Sequence, residues 1–170
     1  TDPGDGSLLS LTDTDGGLTT SSIAMAGSSV LDLDGTVQTV AGLSGSGLVT
    51  NGALTVTGTL APGGVNAIGA VTLAAETSLA GTLLIDVDAD GSCDFLDVRG
   101  SLTLAGVSLR IQDLSRLSAD TPYVIARCRP GHLSGAFAST NMDSTRWGVS
   151  YDILTGEIRL IRIGLIFMVR

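Results

Sequence analysis

Short runs in which apolar and polar residues alternate, each closed by Gly, Asn or Ser, recur through most of the chain. They are SVLDL at 29–33, TVQTV at 36–40, ALTVTGTL at 53–60, AVTL at 70–73, SLAGTLLIDV at 78–87, FLDVRGSLTL at 95–104 and VSLRIQDL at 107–114. A period of two puts successive side chains on opposite faces of an extended strand, and the Gly, Asn and Ser between runs supply the turns. No stretch of ten or more residues keeps apolar positions at the helical spacing of three and four; the best short candidate is DLSRLSAD at 113–120. The pattern predicts an all-β fold.

The runs also resemble one another. GALTVTGTLAPGG from Gly52, GAVTLAAETSLAGTLLIDV from Gly69 and GSLTLAGVSLRI from Gly100 share one order: Gly, a small residue, Leu or Val, Thr, Val or Leu, then a Gly-bounded second strand. Coils of about 20 residues that each supply short parallel strands are the pattern of a β-solenoid, in which one coil cannot bury its apolar face and a stack can. The repetition favours coils over the alternative of a β-sandwich, which also fits short strands. After Asp120 the texture changes: TPYVIARCRPG, HLSGAF, RWGVSYD and GEIRLIRI carry Tyr123, Phe137, Trp147 and Tyr151 and read as antiparallel hairpins. An open stack exposes a hydrophobic end that a distinct element must close. The expectation is coils over 1–120 and a hairpin cap over 121–170 within one structural domain.

At 170 residues and 44% hydrophobic content the chain is long enough to bury a core. It has no lysine, and nine Lys+Arg in total face 17 Asp+Glu for a formal net charge of −8, which repels a phosphate backbone and argues against a nucleic-acid partner. Cys93 and Cys128 form no CxxC, and a disulfide and two separate thiols both stay open. The first residue is Thr1, with no charged start and apolar run after it, as in a processed chain or a fragment. In the closing IRLIRIGLIFMVR the uncharged run from Ile163 to Val169 falls far short of the ~20 residues of a membrane helix. A terminal strand pair is expected there, and it is the one apolar segment suited to docking on a partner.

The densest chemistry lies in IDVDADGSCDFLD, where Asp86, Asp88, Asp90, Gly91, Ser92, Asp94 and Asp97 fall at places 1, 3, 5, 6, 7, 9 and 12 of a calcium loop. The flanks read as strands rather than helices, and place 12 is Asp97 where a bidentate Glu is usual. Two readings stand: a calcium-binding turn using Asp86, Asp88, Asp90, Asp94 and Asp97, or a hairpin in which Leu83, Ile85, Val87, Leu96 and Val98 face inward while Asp86 and Asp88 face solvent. A glycosidase-like carboxylate pair drawn from Asp86, Asp88, Asp94 and Asp97 would have only Phe95 and Arg99 for company, so no enzyme is expected. His132, the only histidine, has no GxSxG partner motif and reads as a turn residue. GLSGSG and APGG have neither a lysine nor a following helix and read as turns, not phosphate cradles. Asn51, Asn66 and Asn141 suit turns where side-chain amides bond along a stack.

Taken in order, GLSGSGLVTNGALTVTGTLAPGG, AVTLAAETSLAGTLLIDVDADGSCDFLDVRGSLTLAGVSLRI, TPYVIARCRPGHLSGAFAST and WGVSYDILTGEIRL resemble the C-terminal part of an autotransporter passenger, the region of autotransporter-associated β-strand and passenger-associated transport repeats, over about residues 27–162. The resemblance implies a right-handed single-stranded parallel β-helix, secreted to a bacterial surface, whose last coils form a folding platform during passage through the outer membrane. It implies no catalytic residue and no cofactor beyond the calcium turn above. Its partners would be upstream passenger coils, an outer-membrane β-barrel outside this chain and, for an adhesin, glycans. The sequence departs from the family in two ways: no barrel-length set of strands follows Trp147, and the family seldom carries cysteines.

Overall fold

The structure, a computed structural model, describes residues 8–10, 18, 21–118 and 121–164. It is all-β, with no α-helix among the described residues. In chain order the strands are β1 (Leu8–Ser10), β2 (Ser22–Asp32), β3 (Val37–Thr50), β4 (Ala53–Pro62), β5 (Ala70–Leu73), β6 (Glu76–Leu79), β7 (Thr82–Ile85), β8 (Phe95–Val98), β9 (Leu102–Thr103), β10 (Ser108–Ile111), β11 (Tyr123–Cys128), β12 (Leu133–Ser134), β13 (Ser139–Thr140), β14 (Trp147–Asp152) and β15 (Glu157–Arg162). Thirteen of them form one mixed sheet, and β9 with β12 a second.

Parallel pairing falls into three ladders. One joins the starts of β3 and β4 to β6, with β9 and β12 lying beyond. A second joins Ser22–Met25, Gly42–Gly45, Thr59–Pro62, β7, β10 and β13. The third joins β1, Ser29–Asp32, Gly47–Thr50, β5, β8 and β11. From β3 to β13 the chain visits them in the same cyclic order. Between named strands of the described residues, antiparallel pairing joins β15 to β11 and β14 to β15, which makes the sheet mixed.

The period-2 alternation explains the core. Leu43, Leu60, Leu83 and Leu109 are register partners in successive strands of the second ladder, and all are buried. Leu31, Val49, Leu73, Val98 and Cys128 do the same in the third. Like side chains thus stack on like in columns, and the apolar area removed from water supplies the main stabilisation. From β3 onward the path between hydrogen-bonded neighbours lengthens, from a separation of 17 residues between Val40 and Thr57 to 31 between Ser108 and Ser139.

Several expected elements differ in detail. The run 78–87 is divided at Ala80 and Gly81 into β6 and β7, because the chain there bends from one ladder to the next with Gly81 pressed against the backbone of Gly58. The run 95–104 likewise divides at 99–101 into β8 and β9. Of 113–118 only Leu114–Arg116 is helical, one 3₁₀ turn in which the Asp113 side chain caps the Ser115 amide, and residues 119–120 lie outside the described set. HLSGAF was expected in an antiparallel hairpin; instead Leu133 and Ser134 pair in parallel with Leu102 and Thr103, so parallel pairing runs past Asp120. Of the apolar tail, β15 takes Glu157–Arg162 and 165–170 lie outside the described residues. Among the described residues no helix is long and apolar enough to cross a membrane.

Candidate functional site

The aspartate-rich stretch folds as an antiparallel hairpin between β7 and β8. Val87 bridges Cys93, Asp94 N–H donates to the Asp86 carbonyl at 2.9 Å, and Asp88 N–H donates to the Ser92 carbonyl at 2.8 Å. Gly91 at the tip has φ of 94°, and its missing side chain leaves room for Thr121. An AspGly turn needs this left-handed position, so the local sequence dictates the reversal.

The five candidate ligands are not gathered around one point. Asp90 is exposed at the tip, where hydrogen bonds from the Ser92 hydroxyl and from Ser92 N–H, the latter at 2.8 Å, hold its carboxyl below the usual range. Asp97 sits on β8 in register with Thr72 and Arg127, beyond the turn. Asp88 is half-exposed and ion-paired with Arg116 at 3.6 Å, while Arg116 also reaches Asp113 at 3.5 Å. Asp94 and Asp86 are brought together at the neck, both buried. Among the described residues no three His, Cys, Asp or Glu side chains converge to hold a metal ion.

Asp86 corrects an expectation. It was placed facing solvent by its alternation with Ile85 and Val87, yet it is 7% exposed. Asn66, Ile68, Asp113 and Arg116 close over it around a cavity of about 70 Å³, and one of its carboxylate oxygens is buried without a hydrogen-bond partner. Asp94, 0% exposed, accepts from Asp86 N–H and from Gly69 N–H, each at 2.9 Å, and so ties the hairpin neck to the start of β5. Burial, with a smaller push from the Asp86 charge, raises its pKa to about 7 against the pull of the two amides. The period-2 alternation carried this signal: Asp94 precedes the inward Leu96 and Val98 at the same two-residue step.

A second feature was not visible in the sequence. β6 pairs only with β4 and β9 only with β12, and between β6 and β9 runs a groove of about 420 Å³ lined by Thr55, Glu76, Thr77, Ser78, Ser101 and Thr103 among others. Hydroxyls continue across it in rows: Thr39, Thr55 and Ser78 are register partners on one side, and Thr103 Oγ1 lies 3.0 Å from Ser134 Oγ on the other. Ser101 Oγ lies 3.2 Å from Nδ1 of His132, both exposed. Among the described residues no carboxylate hydrogen-bonds the imidazole, so the pair lacks the orienting acid of a catalytic triad.

Of the three asparagines, Asn141 serves as expected: its Oδ1 accepts from Ile111 N–H and its Nδ2 donates to the Ile111 carbonyl, both at 2.9 Å. Asn51 donates to Asp32 at 3.0 Å, and Asn51 and Asn66 hold left-handed turn positions. Cys93 and Cys128 are free thiols, Cys93 donating to the Val124 carbonyl at 3.3 Å. No family model, curated protein or solved structure matches this chain.

Proposed function

We propose that the chain is a structural module: a right-handed single-stranded parallel β-helix that belongs to a secreted or surface-exposed autotransporter-like protein, supports coils upstream and aids folding during secretion. The observation that carries this reading is the cyclic visiting of three parallel ladders with aligned apolar columns. Such a stack gains stability mainly from nearest-neighbour contacts, so each coil templates the next. The antiparallel β11–β15–β14 unit closes one end with Tyr123 and Trp147, whose rings lie 6.4 Å apart. The test is replacement of the C-terminal passenger segment of an autotransporter by this chain, scored by protease-accessible passenger at the cell surface. Restored display supports the proposal; a passenger that stays inside while the fused chain is folded overturns it.

The hydroxyl-lined groove favours a second reading, a glycan-binding segment of an adhesin. Rows of Thr and Ser at strand spacing, with Glu76 at the rim, offer donors and acceptors to a neutral sugar chain. A glycan array that stays blank removes this reading, and binding that survives Thr103→Val with Ser78→Ala places the sugar elsewhere.

A further inference from the structure

β14 stands at one end of the large sheet and, among the described residues, pairs with β15 alone. The strand at the other end, β13, is only two residues long, whereas β14 keeps an unbroken register over the six residues Trp147–Asp152. Sheet edges are ordinarily blunted by Pro, Lys, a bulge or shortness, because their free N–H and C=O groups recruit another strand. WGVSYD has neither Pro nor Lys, and the bulge of the closing unit lies on β11, between Val124 and Ala126.

The backbone groups on offer follow from the ladder. Residues of an antiparallel strand alternate between bonding to a given neighbour and turning away from it. Ile163 N–H donates to the Arg146 carbonyl at 2.9 Å, so Arg146, Gly148, Ser150 and Asp152 face β15 while Trp147, Val149 and Tyr151 face the open side. Trp147 N–H is already taken there by the Asp143 carbonyl, at 2.9 Å. Val149 and Tyr151 are left to bond with an incoming strand.

We propose that β14 is a dimerisation edge, to which a second copy of the chain adds its own β14 antiparallel, about a twofold axis at Ser150. Val149 and the partner's Tyr151 then exchange both backbone bonds, and the symmetry repeats the exchange. A twofold normal to the sheet keeps Val149 and Tyr151, which pack towards the core, on one face and Gly148, Ser150 and Asp152 on the other. A slip by one residue would invert those faces. Centring the pair on Val149 instead would set the partner's Tyr151 against Trp147, where the Asp143 carbonyl already sits.

Charge selects the same register. Centred on Ser150, Asp152 lies opposite the partner's Gly148 and diagonal to the partner's Arg146, a separation that a long side chain spans. The bare Gly leaves a lane for the guanidinium, and the twofold makes the pair twice. This register also carries Ile153 and Leu154, both exposed at the hairpin tip, towards the partner's Trp147. Such pairing goes beyond the architectural role and is independent of it, since upstream coils would stack on β2, at the start of the chain.

The experiment is sedimentation velocity of the full chain over a wide range of concentration, with amide hydrogen exchange measured on dilute and concentrated samples. A monomer–dimer equilibrium is expected, in which the Val149 and Tyr151 amides exchange freely in the dilute chain and are protected in the concentrated one. Arg146→Glu alters an exposed residue outside the strand and sets like charges on both diagonals, so it should weaken dimerisation by about tenfold. Val149→Pro removes the N–H turned to the open side, a place where an edge strand tolerates Pro, and should abolish the dimer. Melting temperature shows whether each variant is folded; should Val149→Pro not fold, Arg146→Glu and the wild-type exchange decide. A chain that stays monomeric at every concentration overturns the proposal, as does a dimer that either folded variant leaves at full strength. Val149 and Tyr151 amides already protected in the dilute monomer overturn it too, since another part of the same chain would then cover the edge.

Discussion

The phenol of Tyr123 reaches the backbone of Asp88: its hydroxyl donates to the Asp88 carbonyl at 2.9 Å while accepting from Ser118 N–H at 2.9 Å. The ring itself is fully buried. One side chain of the closing unit thus pins both the aspartate hairpin and the loop after the 3₁₀ turn. Tyr123→Phe keeps the ring and leaves a part-buried carbonyl and a part-buried N–H short of a partner, at a cost of about 1 kcal/mol. Chemical denaturation should show that loss, and hydrogen exchange should locate it at 88–92 and 116–118 rather than across the chain.

Gly81 is required by contact rather than by conformation. A Cβ there would land on the Gly58 carbonyl, and one on Gly58 would land on the Ala41 carbonyl, so the chain turns from one ladder to the next with its backbones touching. Gly81→Ala should cost about 1–3 kcal/mol by overpacking, read as a drop of several degrees in melting temperature. Gly106→Ala is a useful contrast: nothing lies within 4 Å of the added atom, and its penalty should come from φ of 84° alone.

Much of this architecture could be read from alternation. The inward places of Leu83, Ile85, Leu96 and Val98 follow from a period of two, and the structure buries each of them. What alternation does not convey is what lies on the outer face. Asp86 occupies an outward place, and only the fold brings Asn66 and Arg116 over it. The groove between β6 and β9 was equally hidden, because a missing pairing between two strands leaves no mark in either strand's composition. Strand limits were also blurred where a Gly permits a close crossing, as at Gly81, since the same residue reads as an ordinary strand interruption.

Glu157 gives the closing unit a pH response of its own. Hydrogen bonds from Arg159 first and Arg127 second hold its carboxyl below the usual range, the Arg127 contact measuring 2.6 Å. A carboxylate so held stabilises the fold above its unfolded value and ceases to do so as pH falls through the folded one. The wild type should therefore lose more stability than Glu157→Gln between pH ~5 and pH ~2.5. Parallel melting curves for the two proteins over that interval measure the difference directly.

The two thiols should behave as shielded, independent groups, Cys128 buried and Cys93 half-buried. Burial pushes Cys93 up to about 11, with the Asp94 charge adding to it, and Cys128 is raised as well, again chiefly by burial. Thiolate is the reactive species, so neither should react quickly with a maleimide at pH 7, and both should react once denaturant is added. A reductant should leave the melting temperature unchanged, since both thiols are free.

The unequal path lengths between neighbouring strands, 17 residues from Val40 to Thr57 and 31 from Ser108 to Ser139, bear on how the chain avoids misfolding. Repeats of identical length can slip by one unit and still pair, and they can exchange units between molecules. Here a strand displaced to its neighbour's place would be joined by a connection of the wrong length, so slipped forms lose their closure. Irregularity in the repeat thereby selects a single register.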